Sequence, residues 1–238
     1  MTTGHKIAAA TAILVSATFA SVQAAPLSVE ASDNATVQPG GPRTGTNGKA
    51  FFNVEGSANG SFASYGVADF SFGSLSLPVV SVNSAQLALI QSNAAFSTTG
   101  VVTFGLDQKA ALSDIQPGTS PLAFDGVDPG TATDVGQGDL VLLNLGGGPF
   151  SYVVGTTGDV NNYNFALDGL TSGELVNRLN GNQPIRIVVG TGQSNLAATW
   201  AGAINATYAG PTLNLEVTYD TGTGTTTRTW GRIKSLYR

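Results

Sequence analysis

The chain has 238 residues, with fifteen Asp/Glu against ten Lys/Arg, one histidine, no cysteine and 31 glycines, for a formal charge of −5. An acidic balance argues against free nucleic acid as a partner, because phosphate binding depends on clustered cations that displace counterions. The missing cysteines exclude disulfides and thiolate chemistry, so the fold must be held by its core and its backbone ladders.

At the amino terminus, His5 and Lys6 lead into an uncharged apolar run from Ile7 to Phe19. Small residues follow, with Val22 and Ala24 at the −3 and −1 positions of a cleavage site between Ala24 and Ala25. That is the pattern of a secretory signal peptide, read here as residues 1–24. The run falls short of the roughly 20 apolar residues that cross a bilayer core as a helix. The expectation is an exported protein, secreted or at the cell surface, with no transmembrane anchor in its mature part.

From residue 25 the pattern is one of short strands separated by Gly, Asn, Asp, Ser and Thr. Strands are expected near 50–54, 65–72, 85–91 and 101–106. Residues 107–139 form an irregular stretch longer than ordinary loops, and such loops tend to carry function. Further strands are expected at 140–145, 150–154, 163–167 and 185–189. One short helix interrupts the series. Thr171 and Glu174 fit a capping box, Leu175, Val176 and Leu179 share a face, and Gly181 suits a left-handed stop. The clearest strand is the last, where Leu213, Leu215, Val217 and Tyr219 alternate with Asn214, Glu216 and Thr218.

Many strands with one helix and no βαβ alternation predict an all-β fold, an antiparallel β-sandwich of jelly-roll or immunoglobulin-like type. One domain is expected over residues 25–220, a stretch that holds all fifteen acids. After Asp220 the character changes. Residues 221–238 are a Thr/Gly linker and a basic aromatic tail, with Arg228, Arg232, Lys234 and Arg238 and no acid. Trp230, Ile233 and Tyr237 fall on one helical face there, a pattern suited to sorting or docking, or to packing back on the acidic body.

Removal of the leader takes His5 with it, so the mature chain has neither histidine nor cysteine. Ser-His-Asp and Cys-His nucleophilic sites and ordinary zinc sites are thereby excluded. A two-carboxylate glycoside hydrolase needs only Asp or Glu and stays open. Within the long loop, Asp125, Asp128 and Asp134, with Asp139, gather hard oxygen ligands that could hold calcium, but their spacing is not that of an EF-hand and favours solvated turn acids. The Gly146–Gly148 and Gly190–Gly192 runs read as turns.

Residues 65–75 (YGVADFSFGSL), then 82–89 (VNSAQLAL), and the closing stretch 198–219 (ATWAGAINATYAGPTLNLEVTY) resemble the DNRLRE-type carbohydrate-binding module. The DNRLRE phrase itself is absent. The chain is also similar to exported bacterial surface proteins with a PEP-CTERM tail, though residues 230–238 (WGRIKSLYR) contain no Pro-Glu-Pro. The resemblance implies a jelly-roll sandwich that binds extracellular polysaccharide. Rings that could stack on sugars would then be Tyr208, Trp200 and Tyr65, with Tyr152 and Tyr163. Phe70, Phe72 and Phe104 are expected in the core. Three functions remain open: a polysaccharide-binding or matrix module, a purely structural surface protein, and a carboxylate hydrolase.

Overall fold

The computed structural model describes residues 22–109, 115–124 and 140–222. Residues 1–21, 110–114, 125–139 and 223–238 lie outside them. The fold is an antiparallel β-sandwich. Its four-stranded sheet runs β1 (Val22–Glu30), β13 (Thr212–Asp220), β6 (Val79–Ile90) and β10 (Val160–Phe165) in that order. Opposite it lies a seven-stranded sheet ordered β3 (Gly41–Pro42), β2 (Asp33–Gln38), β5 (Tyr65–Phe70), β11 (Ile185–Gly190), β7 (Gly100–Asp107) and β8 (Leu142–Asn144). Its seventh strand, β9 (Phe150–Tyr152), pairs with β7.

Alternation along β13 decides which sheet face is inside. Leu213, Leu215 and Val217 are buried, whereas Asn214 and Glu216 face outward. Leu87 and Leu89 of β6, Phe70 of β5, Phe104 and Leu106 of β7 and Ile187 of β11 complete the core between the sheets. The outer face of the four-stranded sheet is polar. Ser28, Asn214, Gln86 and Asn164 stand side by side across its four strands and hydrogen bond in series, from 2.7 to 3.4 Å.

The seven-stranded sheet is buried on both faces, so its central strands read as continuous apolar runs instead of alternating ones. On its far side Tyr65, Val67 and Val188 pack against Ile115, Leu122 and Phe124 from the long connection after β7. The described part of that connection is therefore a cover that makes a second, smaller core.

A separate ribbon closes one side of the sandwich. It consists of β4 (Phe51–Glu55) and β12 (Ala197–Ala201), bridged to the end of β6 through Gln91 and Trp200 and to the start of β5 through Glu55 and Ser64. The Phe52 ring lies over Gly66 of β5, where a Cβ would come within 2.7 Å of it. A one-turn helix, α1 (Thr46–Ala50), leads into β4, and a 3-10 turn (Ser57–Phe62) leaves it.

The expected helix is α2 (Gly169–Asn180), and its start lies three residues earlier than expected. Asp168 is the N-cap and Thr171 its capping-box partner: Thr171 N donates to Asp168 Oδ1 at 2.8 Å, and Asp168 N donates to Thr171 Oγ1 at 2.9 Å. The Thr171 N–H and hydroxyl, both donating to Asp168 Oδ1, hold the Asp168 carboxyl below its ordinary pKa. Gly181 follows the helix with φ −82°, and the left-handed residue is Asn182 at φ 49°. The helix closes one end of the sandwich. Asn180 bonds both the N–H and the C=O of Val79, and Arg178 donates to Gln108 O and Pro184 O. Among the described residues no helix is long and apolar enough to cross a membrane.

Candidate functional site

The outward face of the β4–β12 ribbon is the floor of a groove of about 500 Å³, within the roughly 300–1,000 Å³ range of small-ligand sites. The period of two along β4 sends Phe52 and Val54 into the core and leaves Phe51, Asn53 and Glu55 facing out. On β12 the same rule buries Trp200 and Ala198 inward and sets Ala197 opposite Glu55 and Thr199 opposite Asn53. Two walls rise from this floor. One carries Asn59 and Phe62, the other Asn93, Phe96 and Thr98, with Arg43 also lining the groove.

Both walls are fixed by side-chain amides. Asn59 Nδ2 donates to Gly56 O at 3.1 Å and to Leu196 O at 2.9 Å. Gly56 itself lies so close to residues 193 and 194 that a Cβ there would sit 1.9 Å from Gln193 O, which only glycine permits. The opposite wall is held by Gln91, whose Nε2 donates to Asn93 O, Ser97 Oγ and Thr199 O while its Oε1 accepts from Tyr152 OH at 2.7 Å. Pinned loops of this kind lower the ordering entropy that a ligand must overcome.

On these walls Phe62 is 58% exposed and Phe96 76% exposed. Large rings held in the open on rigid loops are costly in water and supply flat stacking area. Between them, Asn53 is only 7% exposed. Its Nδ2 donates to Glu55 Oε1 at 3.5 Å, and its Oδ1 has no hydrogen-bond partner among the described residues. A buried acceptor left in that state costs about 1–3 kcal/mol unless a ligand or water donates to it. Burial raises the Glu55 carboxyl above its ordinary pKa, opposed by the Asn53 hydrogen bond and the positive charge of Arg43.

The rings singled out in the sequence lie elsewhere. Trp200 is fully buried, donating from Nε1 to Asn161 Oδ1 at 2.8 Å and packed among Phe52, Tyr152 and Tyr163. Tyr65 is buried in the second core, edge-on to Phe124 at 6.2 Å. Neither ring can stack on a ligand, because strand alternation and sheet coverage turn both inward. Tyr152 and Tyr163 are likewise core residues. Tyr208 is half-buried, its ring over Gly158 and its N–H bonded to Asn205 Oδ1 at 3.0 Å, away from the groove. Phe62 and Phe96 escaped the sequence reading. Their signal was a ring inside a turn-rich segment without strand period.

Asp125, Asp128, Asp134 and Asp139 lie outside the described residues. Within those described, no three His, Cys, Asp or Glu side chains are placed to hold a metal ion. The acids that do approach one another form a buried charge row on the covered face of the seven-stranded sheet. Asp33, Asp69, Arg186 and Asp107 stand opposite one another across β2, β5, β11 and β7. Arg186 grips Asp69 through two bonds of 2.7 and 2.8 Å and lies 3.7 Å from Asp107. Lys49 pairs with Asp33, and Gln116 from the covering segment donates to Asp33 Oδ2 at 2.7 Å. Burial raises the Asp69 pKa, against the pull of Arg186. No protein-family model matches the chain, and no curated protein matches it.

Proposed function

We propose that this is an exported, non-catalytic polysaccharide-binding module that works outside the cell or at its surface and grips a glycan in the β4–β12 groove. The observation that carries the reading is the pairing of two exposed rings, Phe62 and Phe96, with the buried, unpartnered acceptor of Asn53 between them. Rings stack on the apolar faces of sugars, and a fixed acceptor takes one hydroxyl. Among the described residues Glu55 is the one carboxylate lining the groove, whereas glycoside hydrolysis by acid and base needs a facing pair. β1 bears on the export reading, since its first three residues, Val22, Gln23 and Ala24, pair with Asp220, Tyr219 and Thr218 of β13 and would leave with the leader. Val22, Gln23 and Ala24 are exposed, while Ala25, Leu27 and Val29 alternate inward. Cleavage after Ala24 thus leaves the packed part of the strand whole. The likeness to the DNRLRE-type module points the same way.

Affinity electrophoresis of the secreted protein through gels containing a panel of soluble polysaccharides, with a pull-down on insoluble ones, tests this reading. Retardation by at least one glycan is expected. Phe62→Ala and Phe96→Ala should each weaken it several-fold, at about 0.5–1.5 kcal/mol per ring contact, with the melting temperature unchanged. Failure to bind any glycan, with calcium or with chelator, would leave a purely structural surface protein as the better account.

A further inference from the structure

We infer that the basic tail, residues 223–238, docks on its own domain, with the Trp230 ring seated in an apolar groove between the end of α2 and the segment joining β5 to β6. This groove is apart from the β4–β12 ribbon, and the inference does not depend on the glycan reading.

The groove has a volume of about 490 Å³ and is lined by Leu75, Leu77, Pro78 and Leu179, together with Asn180 and Asn182. Among the described residues no charged side chain lines it. Its base is fixed, because Asn180 bonds both the N–H and the C=O of Val79, and Leu179 is part of the main core. Leu77 nevertheless stays 37% exposed, and Val80 close by on β6 is exposed as well. Apolar surface gathered in this way is the mark of a contact site.

The path of the chain names the occupant. Asp220 N donates to Pro78 O at 2.9 Å, so the end of β13 lies against the wall of the groove. There the chain turns: Gly222 N donates to Asp220 Oδ1 at 2.8 Å, and Gly222 has φ 59°. Trp230 comes eight residues later, a reach of up to about 26 Å at roughly 3.3 Å per residue. A ring on so short a tether meets the groove at an effective concentration near the millimolar range, which favours it over a free partner of the same chemistry. Ile233 and Tyr237 follow Trp230 on the same helical face of the sequence.

Charge favours the same pairing. The tail holds four of the ten Lys/Arg and no acid, whereas all fifteen acids lie within residues 25–220. Arg178, the basic residue in the last turn of α2, is turned to Glu174, Pro184 O and Gln108 O, and the carbonyl end of that helix favours cations such as Arg232 and Lys234. Residues 1–21 join at the same corner, since Val22 stands opposite Asp220, but on the export reading they leave with the leader.

The chain has two tryptophans, and Trp200 is fully buried. The difference in fluorescence between the full secreted protein and its Trp230→Phe variant therefore isolates the Trp230 emission. That emission should be blue-shifted, and acrylamide should quench it several-fold less than it quenches free tryptophanamide. Leu77→Asp, a change at the surface, should return both properties to those of the free ring. Because the chain has no cysteine, Ser76→Cys combined with Thr229→Cys should form a disulfide within one chain under mild oxidation. Ser61→Cys, at the other end of β5, combined with Thr229→Cys should not. Emission and quenching like the free ring, or protection that persists in Leu77→Asp, would overturn the inference. So would a disulfide between chains, which gives the groove to the tail of a second copy, and protection seen only with anionic vesicles, which makes a membrane surface the partner.

Discussion

Asp33, Asp69, Arg186 and Asp107 on the seven-stranded sheet and Asn53, Glu55 and Arg43 at the β4–β12 ribbon are built by the same rule and finished in opposite ways. In each place a period of two sets polar groups on one strand face, and sheet register brings neighbours together. Across the charge row, cations meet the carboxylates, Gln116 caps its edge and residues 115–124 cover the neighbouring apolar surface. In the groove, among the described residues, one acceptor has no donor and two phenyl rings stand exposed. A buried polar set that is fully paired holds a fold together. One left incomplete beside open rings is suited to a ligand.

The largest expected effect comes from opening the sealed set. Arg186→Met would leave Asp69 and Asp107 buried without their cation, and removing one partner of such a pair typically costs about 3–5 kcal/mol. Urea unfolding should show that loss, and Asp69→Asn added to it should recover a part, because the orphaned charge is then gone. A loss near zero would mean that the row is wet and the comparison false. At its half-exposed end the same row should matter far less. Lys49→Met breaks the pair with Asp33, whose two side chains are 24% and 19% exposed. The expected cost is below about 1 kcal/mol, shrinking further in molar salt. Equal losses for Arg186→Met and Lys49→Met would show that burial is not what separates them.

Features that depend on local period were legible in the sequence. The strand of Leu213, Leu215 and Val217, the β-sandwich class and the region of α2 all follow from alternation or from a cap. What tertiary contacts decide was not legible. β2 has the sequence DNATVQ, which reads as a turn, yet Asn34 is fully buried. Its Nδ2 donates to Phe51 O at 3.1 Å, and its Oδ1 accepts from Ala203 N at 2.7 Å, partners that are distant in the chain. β1 was obscured by Pro26, which is tolerated because the strand lies at a sheet edge. For the site, ring identity could be read but not ring direction. Trp200 and Tyr65 sit on strands, where sheet coverage determines exposure. Phe62 and Phe96 sit beyond strand ends, and only the fold brings their two loops to one groove.

The smallest expected effect tests the groove from the side of stability. Burial raises the folded-state pKa of Glu55, while the unfolded chain keeps the ordinary value. Between those two values the folded protein binds more protons than the unfolded one, so stability falls as pH rises through that window. Above that window both states are ionised, and the folded protein carries the cost of a desolvated carboxylate. Glu55→Gln keeps an acceptor for Asn53 Nδ2 but removes the charge. It should raise the urea midpoint slightly at neutral pH, and the gain should vanish once the pH drops below the ordinary carboxylate range, where wild-type Glu55 is protonated in both states. A gain that does not depend on pH would mean that packing, and not the charge, is responsible. A loss at neutral pH would mean that Glu55 is paired in the folded state, which would place it with the sealed row and not with an open binding groove.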